Sequence, residues 1–480
     1  MPLILPGNVA SATAGAYEVA NSCRFNDDDG AMLELTPGST SDAIRQTWTF
    51  SVWFKLGNLT AATLSGTGQR HIYMPRSSSS VFDIISIKDD NKLRYYSHSS
   101  AIVLETNALI RDPSAWYHWV IATDTTQGVA ANRVKMYLNG TQITSFSTET
   151  YPDEDYVTRV AMDAVTRIGN DDTSNYFDGY LAEVALVTGS QLAPTSFGEF
   201  DSDSPTIWKP IDISGLTFGT NGFYLDFEDS SNLGNDASGG TDWSETNLAA
   251  VDQATDTPTN NFCVMNPLDN EYADATFSEG NCKVVTNASN KTWNTATVGL
   301  TAGKWYWEIY NVTSPSDYIL NGIAEGPTVS SSAQLGAQTY NYAHNADNGT
   351  IYNAATGYAY GVVTAVDEIL GVYLDLDNNK LYFAKDGVIM NSGTGHSISA
   401  VTSTANGVYF PAVGEYSTST YTAAVNFGGS PAFTVSSGNE DANGYGNFEF
   451  SPNDGGGSSF DSAAKDFLAI CTKNLGSDGG

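Results

Sequence analysis

Side chains that could perform catalysis are few in this sequence, and they follow no catalytic pattern. The five histidines lie outside any His-Glu-x-x-His zinc motif and away from any Gly-x-Ser-x-Gly nucleophile turn. The sequence also has no P-loop and no Rossmann glycine pattern. His118 lies within the apolar stretch "WYHWV" (116 to 120), so we expect it to be packed in a sheet and not to act as a base.

Two acidic turns have the composition of calcium-binding loops. "IGNDDTSNYFDG" (168 to 179) places Asp171 and Asp172 at the end of a predicted strand, and "NDDDG" (26 to 30) is a second acidic turn. Calcium prefers carboxylate and carbonyl oxygens, whereas the alternative is a solvated acidic loop. We predict no required cofactor and name Asp171 and Asp172 as candidate calcium ligands.

Aromatic residues in irregular stretches could stack on sugar rings. The densest stretch is "TYNYAHNADNGTIYNAATGYAY" (339 to 360), where tyrosine and asparagine offer flat contacts and hydrogen bonds at low entropic cost. The alternative is that these rings pack against the edge of a sheet. The predicted ligand-binding residues are Tyr340, Tyr342, Tyr352, Tyr358, Tyr360 and Trp243.

Composition and charge narrow the class of protein. The chain has 480 residues, is rich in glycine and tyrosine, and carries 54 acidic against 21 basic side chains, for a formal net charge of −33. Such a surface repels phosphate backbones, so we predict no nucleic-acid partner. No run reaches the roughly 18 apolar residues of a membrane helix, so we also predict no membrane insertion.

The first residues predict a docking arm and not a signal peptide. "MPLILPGNVASATAG" has an apolar patch without a basic segment before it, and Pro2 and Pro6 interrupt it. The four cysteines, Cys23, Cys263, Cys282 and Cys471, show no metal-binding spacing. Buried free thiols are the favoured interpretation, and a bridge between Cys263 and Cys282 is the alternative.

Alternating apolar and polar residues predict β-strands through most of the chain. "TWTFSVWFKLG" (47 to 57) is one such run, and Gly, Asn, Asp and Pro clusters separate it from the next. "NRVKMYLNGTQIT" (132 to 144) and "GVYLDLDNNKLYFAKDGVIM" (371 to 390) each read as strand, turn, strand. Asn139-Gly140 supplies the positive φ angles that a type I′ hairpin needs.

These patterns predict two strand-rich domains and three connecting or terminal segments. Residues 1–21 form the docking arm, 22–200 the first sandwich, and 201–260 an ordered connector with a single clear strand, "GFYLDF". A second sandwich follows at 261–450. Residues 451–480 form a Gly/Ser-rich tail with a short apolar docking segment, "FLAICTKNL".

Each of the two predicted domains resembles a known family. The first domain resembles laminin-G-like, concanavalin-A-like jelly rolls in "TWTFSVWFKLG", "WYHWVIATD" and "YFDGYLAEVALV". The second resembles the SPRY domain in "GKWYWEI", "DEILGVYLDLDNNKLYFAKDGV" and "VYFPAVGEY". Both resemblances imply an all-β fold, with two concanavalin-A-like jelly-roll β-sandwiches in tandem, and the first implies calcium at one rim of its sandwich.

Because concanavalin-A-like folds also include glycoside hydrolases, the carboxylates decide whether an enzyme is expected. Retaining members of that class carry a Glu-x-Asp-x-Glu type of run, which sets two carboxyl groups about 5 to 5.5 Å apart. The nearest run here, "GEFDSD" (198 to 203), lacks the second glutamate. We therefore predict that the chain is not an enzyme.

The whole arrangement also resembles virion proteins of bacteriophages, especially marine ones, in "SCRFNDDDGAML", "DTPTNNF" and "FLAICTKNL". The resemblance implies a tail fibre or appendage component that recognises a host-surface glycan or protein through loop rims. It implies other virion proteins as partners, a homo-oligomer, and assembly in the host cytoplasm into the virion. The alternatives are a capsid or tail decoration protein that only clamps neighbouring subunits, and a polysaccharide-degrading enzyme.

Overall fold

The chain divides after Thr259 into two compact units. The computed structural model describes residues 17–59, 68–171, 174–287, 289, 291–313, 319–416, 420–453 and 466–478. We call residues 17–259 the N-terminal unit, and the described residues from Asn260 onward the C-terminal unit. Residues 1–16, Asp172 and residues 454–465 lie outside the described residues. Both units consist mainly of antiparallel β-strands, which confirms the predicted fold class.

Among its described residues, the N-terminal unit contains eighteen strands and two short α-helices. The strands are β1 Ser22–Phe25, β2 Met32–Leu35, β3 Thr47–Leu56, β4 Arg70–Ser78, β5 Val81–Ile87, β6 Lys92–Ser97, β7 Val103–Leu109, β8 Trp116–Asp124, β9 Val134–Leu138, β10 Thr141–Gln142, β11 Phe146–Thr150, β12 Thr166–Ile168, β13 Gly179–Thr188, β14 Gly198–Phe200, β15 Trp208–Pro210, β16 Phe223–Leu225, β17 Ser244–Thr246 and β18 Gln253–Ala254. The helices are α1 Asp42–Gln46 and α2 Ala130–Arg133.

Two eight-stranded sheets form the sandwich of this unit. The first sheet has the order β10-β9-β8-β3-β13-β1-β18, with β16 also paired to β13. The second sheet has the order β11-β7-β6-β5-β4-β12-β2-β17. Their facing side chains form one core, to which β3 contributes Trp48, Phe50, Val52 and Phe54, the alternate residues that the sequence pattern predicts.

The predicted hairpin at residues 132–144 is confirmed. Strands β9 and β10 pair across Asn139 and Gly140, whose φ angles are 46° and 75°. Both angles are positive, as a type I′ turn requires. Val134 and Met136 point into the core, so the turn and the alternation specify the same register.

Residues 201–260 form part of the N-terminal unit, which differs from the separate connector expected from the sequence. Strands β16, β17 and β18 pair with β13, β2 and β1. Trp208 and Phe218 also cover the outer face of the first sheet. That face is therefore apolar and buried, and the segment supplies the residues that bury it.

The C-terminal unit contains fifteen strands and one helix, α3 Thr472–Asp478. The strands are β19 Thr276–Ser278, β20 Lys283–Val285, β21 Trp293–Thr295, β22 Lys304–Thr313, β23 Ile319–Ala324, β24 Tyr342–Asn345, β25 Thr350–Asn353, β26 Thr356–Ala359, β27 Ile369–Asp375, β28 Lys380–Lys385, β29 Val388–Ile389, β30 His396–Ser397, β31 Phe410–Glu415, β32 Thr422–Asn426 and β33 Leu468–Ala469.

Two sheets again enclose a core. The larger sheet has the order β19-β20-β32-β22-β27-β28-β29, with β30 on β28 and β33 on β22, and the smaller has the order β21-β31-β23-β24-β25-β26. Val372, Leu374, Leu381 and Phe383 of the β27–β28 hairpin are buried in this core, as their alternation predicts. The register of this second hairpin is confirmed as well.

The apolar run near the C-terminus lies on the C-terminal unit itself. Strand β33 pairs in parallel with β22, and Phe467 and Cys471 pack on the outer face of the larger sheet. All four cysteines are buried and free, so Cys263 and Cys282 form no bridge. None of the helices among the described residues has the length and apolar character that crossing a membrane demands.

Candidate functional site

The second sheet of the N-terminal unit carries a pocket on the face that points away from the core. Its volume is about 360 Å³. We call it the arginine pocket, and it is lined by Gln69, His71, Met74, Arg76, Phe82, Ile84, Arg94, Tyr96, Asp171 and Asn175.

Strand register brings the lining residues together from distant positions in the sequence. His71, Ser86, Arg94 and Glu105 lie opposite one another across β4, β5, β6 and β7. Residues that are next in sequence to these four, such as Tyr95 beside Arg94, point to the core. Alternation along these strands therefore places one row of polar side chains on the outer face.

The floor of the pocket is apolar and partly aromatic. Met74 and Ile84 are buried there, and the half-buried rings of Phe82 and Tyr96 lie with their centroids 6.2 Å apart. Flat apolar surface of this kind is suited to contact with the carbon face of a ring-shaped ligand.

Arg94 is held in place by three neighbours. Its Nη1 atom donates to Oε1 of Gln69 at 3.1 Å, and its Nε atom lies 3.2 Å from Oε1 of Glu105. The guanidinium carbon lies 4.3 Å from the ring centroid of Tyr96, a cation–π contact. These contacts orient the guanidinium before any ligand arrives.

His71 lies at the base of the pocket and is 2 % exposed. Neither of its ring nitrogens has a hydrogen-bond partner among the described residues. The pKa of His71 is lowered to about 4, mainly by burial; the charge of Asp171 acts in the opposite direction, and the charges of Arg94 and Arg76 also lower it. The imidazole is therefore neutral near pH 7, and one of its nitrogens is available to donate and the other to accept.

Asp171, one of the two candidate calcium ligands, closes its own turn. Its Oδ1 atom accepts from the backbone N–H of Ser174 at 2.9 Å, and its Oδ2 atom accepts from Nδ2 of Asn175, also at 2.9 Å. Asp172 lies outside the described residues. Within the part of the chain that the structure describes, no group of three or more His, Cys, Asp or Glu side chains is arranged to hold a metal ion. Calcium binding here stays a prediction.

Three of the six predicted aromatic ligand residues are buried. Tyr342 and Tyr360 belong to the core of the C-terminal unit, where they are 3 % and 8 % exposed. Trp243 is 3 % exposed and packs edge-on against Phe223 at 4.9 Å in the N-terminal core. Their placement on a loop rim was wrong, because these rings fill the interior of each sandwich.

The predicted tyrosine-rich loop is instead mostly strand. Residues 339–360 contain β24, β25 and β26, so side chains alternate between core and surface. Tyr340 and Tyr352 are half-buried and pack against core residues. Tyr358, which is 43 % exposed, is the most exposed of these five tyrosines.

A second pocket, on the C-terminal unit, has polar groups that already satisfy one another. It measures about 590 Å³ and is lined in part by Tyr310, Phe433 and Phe450. Tyr310 donates to Asp367 at 2.6 Å, and the hydroxyl of Ser436 donates to Glu449 at 2.7 Å. The arginine pocket, with its unpartnered histidine, is the stronger candidate.

Ser51 and His118 lie in hydrogen-bonding contact, as a nucleophile and its base would, but the proton is on the wrong nitrogen for catalysis. Oγ of Ser51 is 2.8 Å from Nε2 of His118, and Nε1 of Trp208 donates to Nδ1 at 2.9 Å. An indole N–H can only donate, so Nδ1 is unprotonated and Nε2 carries the proton. The imidazole therefore donates to Ser51 and cannot accept its proton.

This tautomer is directly measurable. Burial lowers the pKa of His118 to about 3, so we expect a neutral ring with a protonated Nε2 and an unprotonated Nδ1 from pH 5 to pH 8. Nitrogen-15 NMR of the histidine side chains measures both. The variant Trp208→Phe removes the donor and is expected to let the second tautomer form. A protonated Nδ1 in the unmodified chain would contradict the assignment.

Comparison with known families identifies two domains. Residues 27–192 match the concanavalin A-like lectin/glucanases superfamily, and residues 304–430 match the SPRY domain. The predicted identity and order of the two domains are thus confirmed. A search of curated proteins finds no match.

Several solved structures are similar to parts of the chain. The SPRY domain of human HERC1 is 16 % identical, with 34 % of this chain and 96 % of that chain covered and a TM-score of 0.28. A heptameric SAP-like pentraxin from Limulus polyphemus is 14 % identical, with 37 % and 80 % covered and a TM-score of 0.28. A protein from Bacteroides ovatus described as carbohydrate-binding is 13 % identical, with 48 % and 60 % covered and a TM-score of 0.32.

Proposed function

We propose that this chain is a non-enzymatic bacteriophage virion protein, a component of a tail fibre or similar appendage that recognises a host-surface glycan. The assignment to a virion is supported by the sequence resemblance of "SCRFNDDDGAML", "DTPTNNF" and "FLAICTKNL" to such proteins. The proposed binding site is the arginine pocket, in place of the loop rims first expected.

One observation carries the binding proposal: an apolar floor and unpartnered polar groups meet in the same pocket. Ligand sites in proteins are mostly apolar concavities of about 300 to 1,000 Å³ with a few well-placed polar groups. The arginine pocket has this size, with Phe82 and Tyr96 on its floor and His71 at its base. A saccharide ring offers the matching surfaces, an apolar face and a rim of hydroxyls.

A shallow pocket of this kind gives weak binding to a single saccharide. Linking several copies on one particle makes the later binding events intramolecular, which can raise the overall affinity by about 10² to 10⁴. The proposal therefore includes a homo-oligomer or several copies per virion, with other virion proteins as partners.

Replacing Phe82 with alanine is expected to weaken binding to host cells by about tenfold, because burying the apolar surface of a phenylalanine side chain is worth about 1.5 kcal/mol or more and about 1.4 kcal/mol is tenfold in affinity. Binding of the labelled full chain to cells is measured by flow cytometry, and binding to saccharides on a glycan array. Phe200, another exposed phenylalanine of the same unit, lies outside the pocket, so Phe200→Ala is the matched control.

Two outcomes separate the proposal from its alternatives. If the full chain binds no host cells and no glycans and does not delay infection, the clamping role in a capsid or tail is favoured. Cryo-EM of the particle then locates the chain. If host polysaccharide becomes shorter during incubation with the purified chain, an enzyme is present and the proposal is wrong.

A further inference from the structure

The two arginines that line the arginine pocket differ in how they are paired with carboxylates. Glu105 is shared by two cations, since Oε1 lies 3.2 Å from Nε of Arg94 and Oε2 lies 3.2 Å from Nζ of Lys88. Arg76 forms no ion pair with any described acidic side chain. Lys88 also lies 3.7 Å from Oδ2 of Asp90, so of these three cations Arg76 alone lacks an ion pair with a described carboxylate.

Asp171, which also lines the pocket, forms no ion pair with Arg76. Asp171 contacts Arg76 only through its backbone oxygen, at 3.5 Å from Nη1. The carboxylate oxygens of Asp171 accept bonds from Ser174 and Asn175 in its own turn. Arg76 is half-buried and lines the pocket, and the contact with the backbone oxygen of Asp171 is the hydrogen bond its guanidinium makes with the described residues.

Arg94 likewise retains bonding capacity toward the pocket. Gln69, Glu105 and Tyr96 hold its Nη1, its Nε and the face of its guanidinium. Its Nη2 atom donates to no described residue. An oriented guanidinium with a free N–H edge matches the planar or tetrahedral oxygens of an anion, and arginine is suited to such contacts because its N–H groups form a rigid fork.

We infer that the arginine pocket selects saccharides that carry an anionic group, a carboxylate or a sulfate, which Arg76 and Arg94 bind while the sugar ring contacts Phe82 and Tyr96. This inference rests on the proposed glycan-binding function and names its ligand class. His71, neutral and unpartnered at the base of the pocket, hydrogen-bonds a ring hydroxyl or an oxygen of the anionic group.

The net charge of −33 does not prevent an anionic saccharide from binding. Its repulsion acts over long distances, whereas the arginine contacts act at short range. Repulsion between the acidic surface and an anionic glycan is long-range, and salt screens it beyond about 10 Å at 0.1 M ionic strength. Contacts of Arg76 and Arg94 with the anion act at about 3 Å and are screened far less. The affinity for a short acidic saccharide is therefore expected to hold or rise between low salt and about 0.1 M.

Three trisaccharides test the inference with the full chain by isothermal titration calorimetry: trigalacturonate, a sulfated galactotriose and neutral galactotriose. We expect at least one anionic trisaccharide to bind about tenfold more tightly than the neutral one, a difference typical of a charge-assisted arginine contact. The two anionic probes show whether the pocket prefers a carboxylate or a sulfate.

Arg76→Ala and Arg94→Ala are each expected to abolish most of that preference. Arg111→Ala is the matched control, because Arg111 is exposed in the same unit and does not line the pocket. Circular dichroism and a thermal melt establish that each variant is folded. Of the two arginines, Arg76 has the fewer contacts with its own unit, so its variant remains informative if Arg94→Ala unfolds.

The inference and the proposed function fail in different ways. If the neutral trisaccharide binds as tightly as the anionic ones, or if Arg76→Ala keeps the anionic preference, the inference is overturned while glycan recognition stands. If no saccharide on a glycan array of neutral, carboxylated and sulfated members binds the chain, the proposed function falls and the inference falls with it.

Discussion

Replacing Asp256 with alanine is expected to destabilise the N-terminal unit by about 3 to 5 kcal/mol, because the change removes the carboxylate that pairs with a buried ammonium group. Lys55 is 0 % exposed and Asp256 is 1 % exposed, and Nζ of Lys55 lies 2.6 Å from Oδ2 of Asp256. Nε1 of Trp116 donates to the other carboxylate oxygen at 3.0 Å. Urea unfolding of the full chain, followed by tryptophan fluorescence, measures the loss.

Two further variants show that the effect comes from burial. Glu154 pairs with Arg133 at 3.4 Å but is 56 % exposed, so Glu154→Ala is expected to cost less than about 1 kcal/mol. The double variant Lys55→Met/Asp256→Leu removes both charges and is expected to recover most of the lost stability. Equal losses for Asp256→Ala and Glu154→Ala would contradict the assigned role of the buried pair.

Asp256 lies in the segment 201–260, which could not be assigned to the first sandwich from the sequence. The segment is rich in Gly, Asp, Ser and Asn, and its strands β16, β17 and β18 are two or three residues long, too short to show alternation. Their partners lie far away in the chain, since β18 pairs with β1. Only the folded sheet shows that Asp256 lies beside Lys55.

Long alternating strands could be predicted, because the alternation of apolar and polar residues shows which face of each strand is buried. Strands β3, β22, β27 and β28 and both hairpins follow their sequence patterns, and Asn139-Gly140 specifies its own turn. Where the second face of a sheet is also buried, as on the first sheet, alternation carries less information.

The candidate site could not be predicted because its residues are joined only by strand register. Arg76 and Arg94 occupy polar positions of two alternating strands, which in the sequence look like any solvated face. The tyrosines of residues 339–360 gave the stronger local signal, yet Tyr342 and Tyr360 serve the core. A single chain shows which residues share a strand face but not which strands are neighbours.

Raising the pH from 5 to 8.5 is expected to lower the free energy of unfolding of the N-terminal unit. The pKa of Asp178 is raised to about 8, mainly by burial and also by the nearby charge of Asp27, while the N–H of Asn58 and the charge of Arg70 act in the opposite direction. The pKa of Asp27 is raised to about 6, mainly by burial and also by the charge of Asp28. An unfolded aspartate titrates near pH 3.9.

The direction of the pH effect follows from the protons bound in each state. Between about pH 4 and pH 8 the folded chain binds more protons than the unfolded chain at these aspartates, so folding is favoured at low pH. Their contribution is complete below about pH 4 and is lost as the pH rises through 6 and 8. Below about pH 6.5 the neutral His71 and His118 act in the opposite direction, because their imidazoles take up protons only in the unfolded chain. Each unit of pKa shift corresponds to about 1.4 kcal/mol, so the net loss up to pH 8.5 is expected to be a few kcal/mol.

The variant Asp178→Asn isolates this effect, because the amide oxygen can still accept the N–H of Asn58, which lies 2.7 Å from Oδ2. We expect it to match the unmodified chain near pH 4, to be slightly more stable at pH 5 and to be clearly more stable at pH 8.5. Burial also raises the pKa of Glu183 to about 7, so only Asp178→Asn combined with Glu183→Gln should remove most of the slope. Urea unfolding at both pH values, with a chelator present because a bound cation would hold the carboxylates charged, measures the slope. An unchanged slope in the double variant would show that other groups set the pH dependence.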